Sequence, residues 1–237
     1  MDKRKVLAAL QEVVAVSRIK TSRTSVFINL ELKMYEKIKT YADELIQEFD
    51  LIPAQRKKTL EEITKYIASK ISENKEIKLI YICTHNSRRS HFGQIWAHVA
   101  ADFYNISKVN TFSGGTEATT FNINAINSLK RIGFQIEQID KTENPIYHVF
   151  YTDNQKPSVC FSKVYDHSQN PEKEFAAIMT CGDAEENCPF IPGVELRIAT
   201  TYVDPKAFDN TNLQDEKYDE RCRQIARETF YVFSKIK

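Results

Sequence analysis

Apolar residues recur along the first 75 positions at the spacing of a helix face. Leu7, Leu10 and Val14 form one stripe, and Met34, Ile38, Tyr41, Leu45 and Phe49 form a second. A third begins after Pro53 with Leu60, Ile63, Ile67 and Ile71, and Thr59 with Glu62 has the spacing of a capping box. The pattern predicts an all-helical N-terminal extension over residues 1–75. From residue 76 the rhythm changes. Ile77 to Ile82 is a short apolar run of the kind a buried strand shows, and it ends at Cys83. His91 to Ala101 reads as a helix, Val109 to Phe112 as a strand stopped by Gly114 and Gly115, and Phe121 to Ile132 as a helix closed by Gly133. Phe175 to Thr180 is another buried strand, again ending at a cysteine, and Asp215 to Phe233 is a last helix. Strands alternating with helices predict an α/β domain over 76–237: a doubly wound parallel sheet of about four strands flanked by helices. Ile146 to Tyr151 and Ser158 to Phe161 read as an inserted hairpin turning across Asn154 to Pro157.

Composition narrows this picture. With 42% hydrophobic and 27% charged residues in 237, the chain reads as globular and not disordered. Six glycines, seven prolines and no repeat exclude collagen-like and low-complexity classes. A net charge of +1 gives no reason to expect nucleic acid or a membrane as partner. The extension carries a mild positive excess, in which Arg56-Lys57-Lys58 reads as a solvated helix end. Met1 to Leu10 imitates a signal peptide, but Gln11 and Glu12 cut its apolar stretch short. No run of 18 apolar residues is present, so no membrane span is expected and the expected location is the cytoplasm. The five cysteines, at 83, 160, 181, 188 and 222, suit a reducing compartment with chemical thiols better than a secreted disulfide frame.

The segment Cys83-Thr84-His85-Asn86-Ser87-Arg88-Arg89-Ser90 carries the clearest chemistry. It leaves a strand's C-terminal end and runs into a helix, where doubly wound sheets bind ligands. A loop wound into a helix N-terminus points backbone N–H groups inward and adds the positive end of the helix dipole, which favours an oxyanion. Arg89, six residues after Cys83, can clamp a tetrahedral oxyanion with its planar fork. The same field favours thiolate at Cys83. Asn86 tolerates left-handed backbone angles, and Ser90 can donate a hydrogen bond to the sulfur. The alternative is a structural cysteine capping a strand, which this polar, doubly basic loop argues against. Asp204, in Thr201-Tyr202-Val203-Asp204-Pro205, follows the last strand and is a candidate general acid. Cys181 and Cys188, seven apart and starting at a strand end, read as redox partners of Cys83, and the polar segment from Cys181 to Pro189 reads as a mobile loop. A zinc site is disfavoured, because the spacing is wide and no histidine pair completes it. Cys160, Cys222 and Trp96 read as core residues, and His85 and His91 as exposed bystanders flanking the loop.

The chain resembles the low-molecular-weight protein tyrosine phosphatase superfamily, and within it the thioredoxin-coupled arsenate reductases. The resemblance rests on the Cys83–Ser90 loop, Ser113-Gly-Gly-Thr-Glu-Ala118, Asn124-Ala-Ile126, Cys181-Gly-Asp-Ala184, Asn187-Cys188-Pro189 and Asp204-Pro205. It covers about residues 77–237, without the 146–163 hairpin and without the extension. It implies that Cys83 attacks arsenate while Thr84 to Ser90 hold the oxyanion. It further implies that Cys181 attacks the Cys83–arsenic adduct, releasing arsenite and leaving a Cys83–Cys181 disulfide. Cys188 then takes over Cys181, and a thioredoxin-like protein reduces the resulting pair. No bound cofactor or metal is implied, only an external thiol reductant. The sequence departs from the pattern at His85, where a glycine is usual and crowding of the turn is expected, and at Arg88, which replaces a second loop cysteine. Gln94 stands where some reductases carry a potassium-binding glutamate, and Lys206 where the phosphatases carry a tyrosine lining the phosphotyrosine slot.

Three function classes follow: reduction of arsenate; hydrolysis of phosphotyrosine or small phosphomonoesters through Cys83, Arg89 and Asp204; and oxyanion sensing by an interaction protein. The extension reads as a lid, a homodimer element or packing for an exposed sheet face.

Overall fold

The computed structural model describes residues 33–187 and 190–236. The expected helix at 7–14 and Cys188 lie outside the described residues. Residues 33–236 fall within one compact unit.

Among the described residues two helices precede the sheet, α1 (Glu36–Gln47) and α2 (Ala54–Ser72), joined by a short 3-10 turn at Phe49–Leu51. Ile38 and Leu45 of the predicted stripe are fully buried, as are Leu60, Ile63 and Ile67 of the next. Ile71 is half out in solvent. The Thr59–Glu62 capping box does not form. Helix α2 already starts at Ala54, so Thr59 lies one turn inside and its hydroxyl donates back to the Gln55 carbonyl.

Strand β1 (Ile77–Cys83) leads through the loop into α3 (Arg89–Phe103), then β2 (Val109–Gly115) and α4 (Ile123–Ile132). Asn122 caps α4, its side chain accepting from the Asn124 and Ala125 amides, and Gly133 closes it at φ 121°. Three short strands follow, β3 (Gln135–Gln138), β4 (Tyr147–Phe150) and β5 (Ser158–Cys160), forming a separate antiparallel sheet in that order. The predicted hairpin is β4–β5; β3 extends it. Next come β6 (Phe175–Met179), the six-residue helix α5 (Gly182–Asn187), β7 (Val194–Ala199), a 3-10 turn (Pro205–Phe208) and α6 (Gln214–Ser234). Strand β2 runs through both glycines that were expected to stop it.

The main sheet has the order β2-β1-β6-β7 with every pairing parallel. The chain steps to one side of β1 to make β2, then to the other side to make β6 and β7. That reversal defines the doubly wound class, an α/β fold with a four-stranded parallel sheet flanked by helices. Side chains alternate across β1 accordingly. Ile77, Leu79 and Tyr81 join the large core beneath α1 to α4 and α6. Ile80 and Ile82 join a smaller cluster with Phe175, Ala177, Met179, Ile191 and Ala184 of α5 on the opposite face. Trp96 of α3 centres the large core, stacking with Tyr41 of α1 and meeting Phe134 and Phe230 edge-on. The described part of the helical extension thus shares one core with the sheet. No helix among the described residues is long and apolar enough to cross a membrane.

Candidate active site

The point where strand order reverses lies between β1 and β6, and their C-terminal ends carry Cys83 and Cys181. Both sulfurs belong to the small apolar cluster on the α5 face, and both side chains are almost fully buried. Thr84, directly after Cys83, places its hydroxyl 3.4 Å from the Cys181 sulfur, which also accepts from the Ala184 amide.

The loop is fastened at nearly every residue. The carbonyls of Cys83 and Thr84 accept from the amides of Thr116 and Glu117. Gly115 makes this possible: a Cβ there would lie 2.6 Å from the Thr84 carbonyl and 2.7 Å from the Asn86 nitrogen, closer than real contacts allow. Asn86 is the one loop residue in the left-handed region, at φ 43°. Its amide group donates to Ser90 at 2.9 Å and accepts from the Lys163 amide at 2.9 Å. Ser90 in turn stands 3.1 Å from the Cys83 sulfur. With Asn86 donating to its oxygen, the Ser90 proton is free to point at the sulfur and stabilise thiolate. Ser87 donates to the Thr120 carbonyl, and its own carbonyl accepts from Asn122, the cap of α4.

His85 shows no left-handed strain. Its ring is partly exposed, 3.6 Å from Glu117, while its carbonyl accepts from Thr119 and Ser162. His91, expected at the surface, is fully buried against Ser113 and Phe121. Burial, with the Lys163 ammonium nearby, holds its imidazole well below the ordinary histidine range, so it is neutral at pH 7.

The two arginines diverge. Arg89 donates from Nη1 to the Tyr202 carbonyl at 2.9 Å and from Nη2 to Asp204 at 2.6 Å. Its Nε is buried with no hydrogen-bond partner among the described residues, a donor suited to an oxyanion. Arg88 turns to the other side, donating to Tyr218 at 2.7 Å and Asp209 at 3.3 Å, with its Nε 3.9 Å from Asp204. Asp204 therefore lies between both guanidiniums, held in place by the Lys206 amide. The structure brings together Cys83, the loop, Arg89, Asp204 and Cys181. It turns the Arg88 side chain toward the C-terminal loop and helix α6. The segment after Cys181, expected as a polar loop, is helical through Asn187.

The two remaining described thiols lie in the large core. Burial pushes Cys160 and Cys222 each up to about 12. A raised thiol keeps its proton across neutral pH, so neither forms appreciable thiolate there. Iodoacetamide at pH 7.5 is therefore expected to leave both unmodified in the native protein while labelling Cys83, as read by peptide mapping. Labelling of Cys160 or Cys222 at the Cys83 rate would contradict this assignment.

Cys83 and Arg89 thus flank a five-residue loop, a Cys-x5-Arg spacing, at the switch point of a parallel sheet. The chain is similar to the arsenate reductase of Bacillus subtilis (strain 168), with 26% identity over 149 residues, 62% of this chain and 88% of that protein. It is also similar to the arsenate reductase of Bacillus licheniformis, with 25% identity over 159 residues, 66% of this chain and 94% of that one. Among solved structures, a low-molecular-weight phosphotyrosine phosphatase from Vibrio cholerae O395 aligns at a TM-score of 0.46 and 12% identity, covering 67% of this chain and 95% of that one. An arsenate reductase in the phosphate binding state aligns at a TM-score of 0.46 and 16% identity, over 68% and 99%. No protein-family model matches. The similarity thus spans most of the two curated enzymes' length.

Sequence reasoning missed Tyr202, whose carbonyl holds Arg89, and Gly115, whose missing side chain makes room for the loop. It also misread Arg56. This side chain donates from Nε to the buried Glu228 at 2.8 Å and stacks 4.7 Å over the Tyr202 ring, and is no solvated helix end.

Proposed function

We propose that the protein reduces arsenate to arsenite through Cys83 and a thiol relay. Cys83 thiolate attacks arsenic while the loop amides and Arg89 hold the other oxygens. One arsenate oxygen leaves as water, protonated by Asp204, and a Cys83 S–As(V) adduct forms. Incoming oxyanion takes hydrogen bonds from Arg89 that Asp204 holds in its absence. Cys181 thiolate then attacks the Cys83 sulfur. The S–As bond breaks with its electron pair on arsenic, giving arsenite and a Cys83–Cys181 disulfide, so two thiols supply the two electrons. Cys188 attacks Cys181 to release Cys83, and an external dithiol protein of the thioredoxin kind reduces the Cys181–Cys188 pair.

The observation that carries this reading is the second buried thiol beside the loop, with Cys181 3.4 Å from the Thr84 hydroxyl. Hydrolysis of a phosphomonoester needs only Cys83, Arg89 and Asp204, and gives that thiol nothing to do. The similarity to two curated arsenate reductases supports the same choice. The test compares turnover of arsenate with a thioredoxin system against hydrolysis of phosphotyrosine. Dithiol-dependent arsenite release is the expected result. Fast phosphotyrosine hydrolysis without arsenate reduction would replace this reading with a phosphatase.

A further inference from the structure

The aspartate loop is gripped from two sides. From the oxyanion loop, Arg89 holds the Tyr202 carbonyl and the Asp204 carboxylate. From helix α2, Arg56 reaches the same segment. Its Nη2 lies 3.4 Å from the Thr201 carbonyl, its guanidinium covers the Tyr202 ring, and Nε and Nη2 both meet Glu228 at 2.8 Å. Glu228, on α6 and 2% exposed, also accepts from the Tyr202 hydroxyl at 2.9 Å and from Gln224 at 3.1 Å. Each partner of Glu228 therefore depends on the others. Removing Arg56 leaves a buried carboxylate short of its counter-charge, and the Tyr202 ring loses both its cover and a fixed hydroxyl partner.

We propose that Arg56 is a positioning residue, and that helix α2 sets the aspartate loop against the oxyanion loop through Glu228 and Tyr202. This rests on the reading of Asp204 as the general acid. The part of the helical extension that carries Arg56 is then a working component of the site, although the motifs that carry the resemblance all lie beyond it. The chemical consequence is specific. Capture of the oxyanion by Cys83, the loop amides and Arg89 continues, while protonation of the leaving oxygen suffers, because it needs Asp204 at hydrogen-bond reach.

The experiment uses the full chain with two probes, p-nitrophenyl phosphate, whose leaving group needs little protonation, and phenyl phosphate, whose leaving group needs more. Asp204→Asn is the reference and is expected to slow phenyl phosphate more than p-nitrophenyl phosphate. Arg56→Met should show the same bias, with phenyl phosphate kcat down on the order of tenfold, a fraction of the 10²–10⁴ a general acid supplies. KM should stay within about twofold, since a group needed only in the transition state moves kcat and not binding. Arg56→Lys keeps a charge beside Glu228 and should recover part of the loss; it also serves if the methionine variant does not fold. Equal slowing of both probes, or a raised KM with unchanged kcat, would overturn the assignment of Arg56. An Asp204→Asn variant without leaving-group bias would instead overturn the reading of Asp204 on which it rests; if the wild type hydrolyses neither probe, arsenate turnover takes their place, and an Arg56→Met kcat equal to wild type overturns the assignment of Arg56.

Discussion

Replacing Cys83 with serine should abolish arsenate reduction and any phosphomonoester hydrolysis, while phosphate still binds within a few-fold of wild type. The loop proposed to hold the anion is built from backbone and from Asn86, Ser87 and Ser90, fastened to the amides of Thr116 and Glu117 and to the Thr120 carbonyl. None of these contacts uses the sulfur except that of Ser90. A serine hydroxyl keeps its proton across neutral pH and is a far weaker nucleophile than sulfur, so the nucleophile vanishes and the cradle survives. Phosphate titration by calorimetry, beside activity assays, separates the two. Full activity in the variant would remove Cys83 from the chemistry, and lost phosphate binding would show that the sulfur shapes the loop.

Arg89→Lys should lose activity by at least ~100-fold, the scale of removing one well-placed electrostatic stabiliser. Charge is conserved, but geometry is not. The guanidinium simultaneously meets the Tyr202 carbonyl and Asp204 and keeps its Nε free. An ammonium on a flexible stem cannot present two parallel donors to an oxyanion while it stays in register with the aspartate loop. Both steady-state kcat and phosphate affinity should fall. A change below about threefold would mean that Arg89 serves the aspartate loop alone.

The parts legible in the sequence share a local signature. An apolar run ending in Cys83, a polar loop and Arg89 six residues on are contiguous, and strand, loop and helix follow from that one segment. Asn86 is legible for the same reason, because its left-handed backbone is a property of its own side chain. Arg56 was not. Nothing around Arg56-Lys57-Lys58 marks it off from a solvated helix end, since its partner Glu228 lies 172 positions further on. His91 departs from expectation because a helix wedged between sheet and α6 buries every residue from Arg89 to Ala97, and not one stripe. Strand β3 escaped notice because Gln-Ile-Glu-Gln has a single apolar residue and sits mostly exposed beside β4. The helix after Cys181 was read as a loop from its polarity. Its Asp183 and Glu185 stand in the first turn, where acidic residues favour a helix.

In the proposed reaction, Cys181 completes the chemistry Cys83 begins. The direct measurement is mass spectrometry of the Cys188→Ser protein after a single turnover with arsenate, without added reductant and with peptides mapped under non-reducing conditions. One equivalent of arsenite and a Cys83–Cys181 disulfide is the predicted result, since the second thiol has attacked and nothing remains to resolve the bond. Arsenite released with Cys83 and Cys181 both still as free thiols would contradict it.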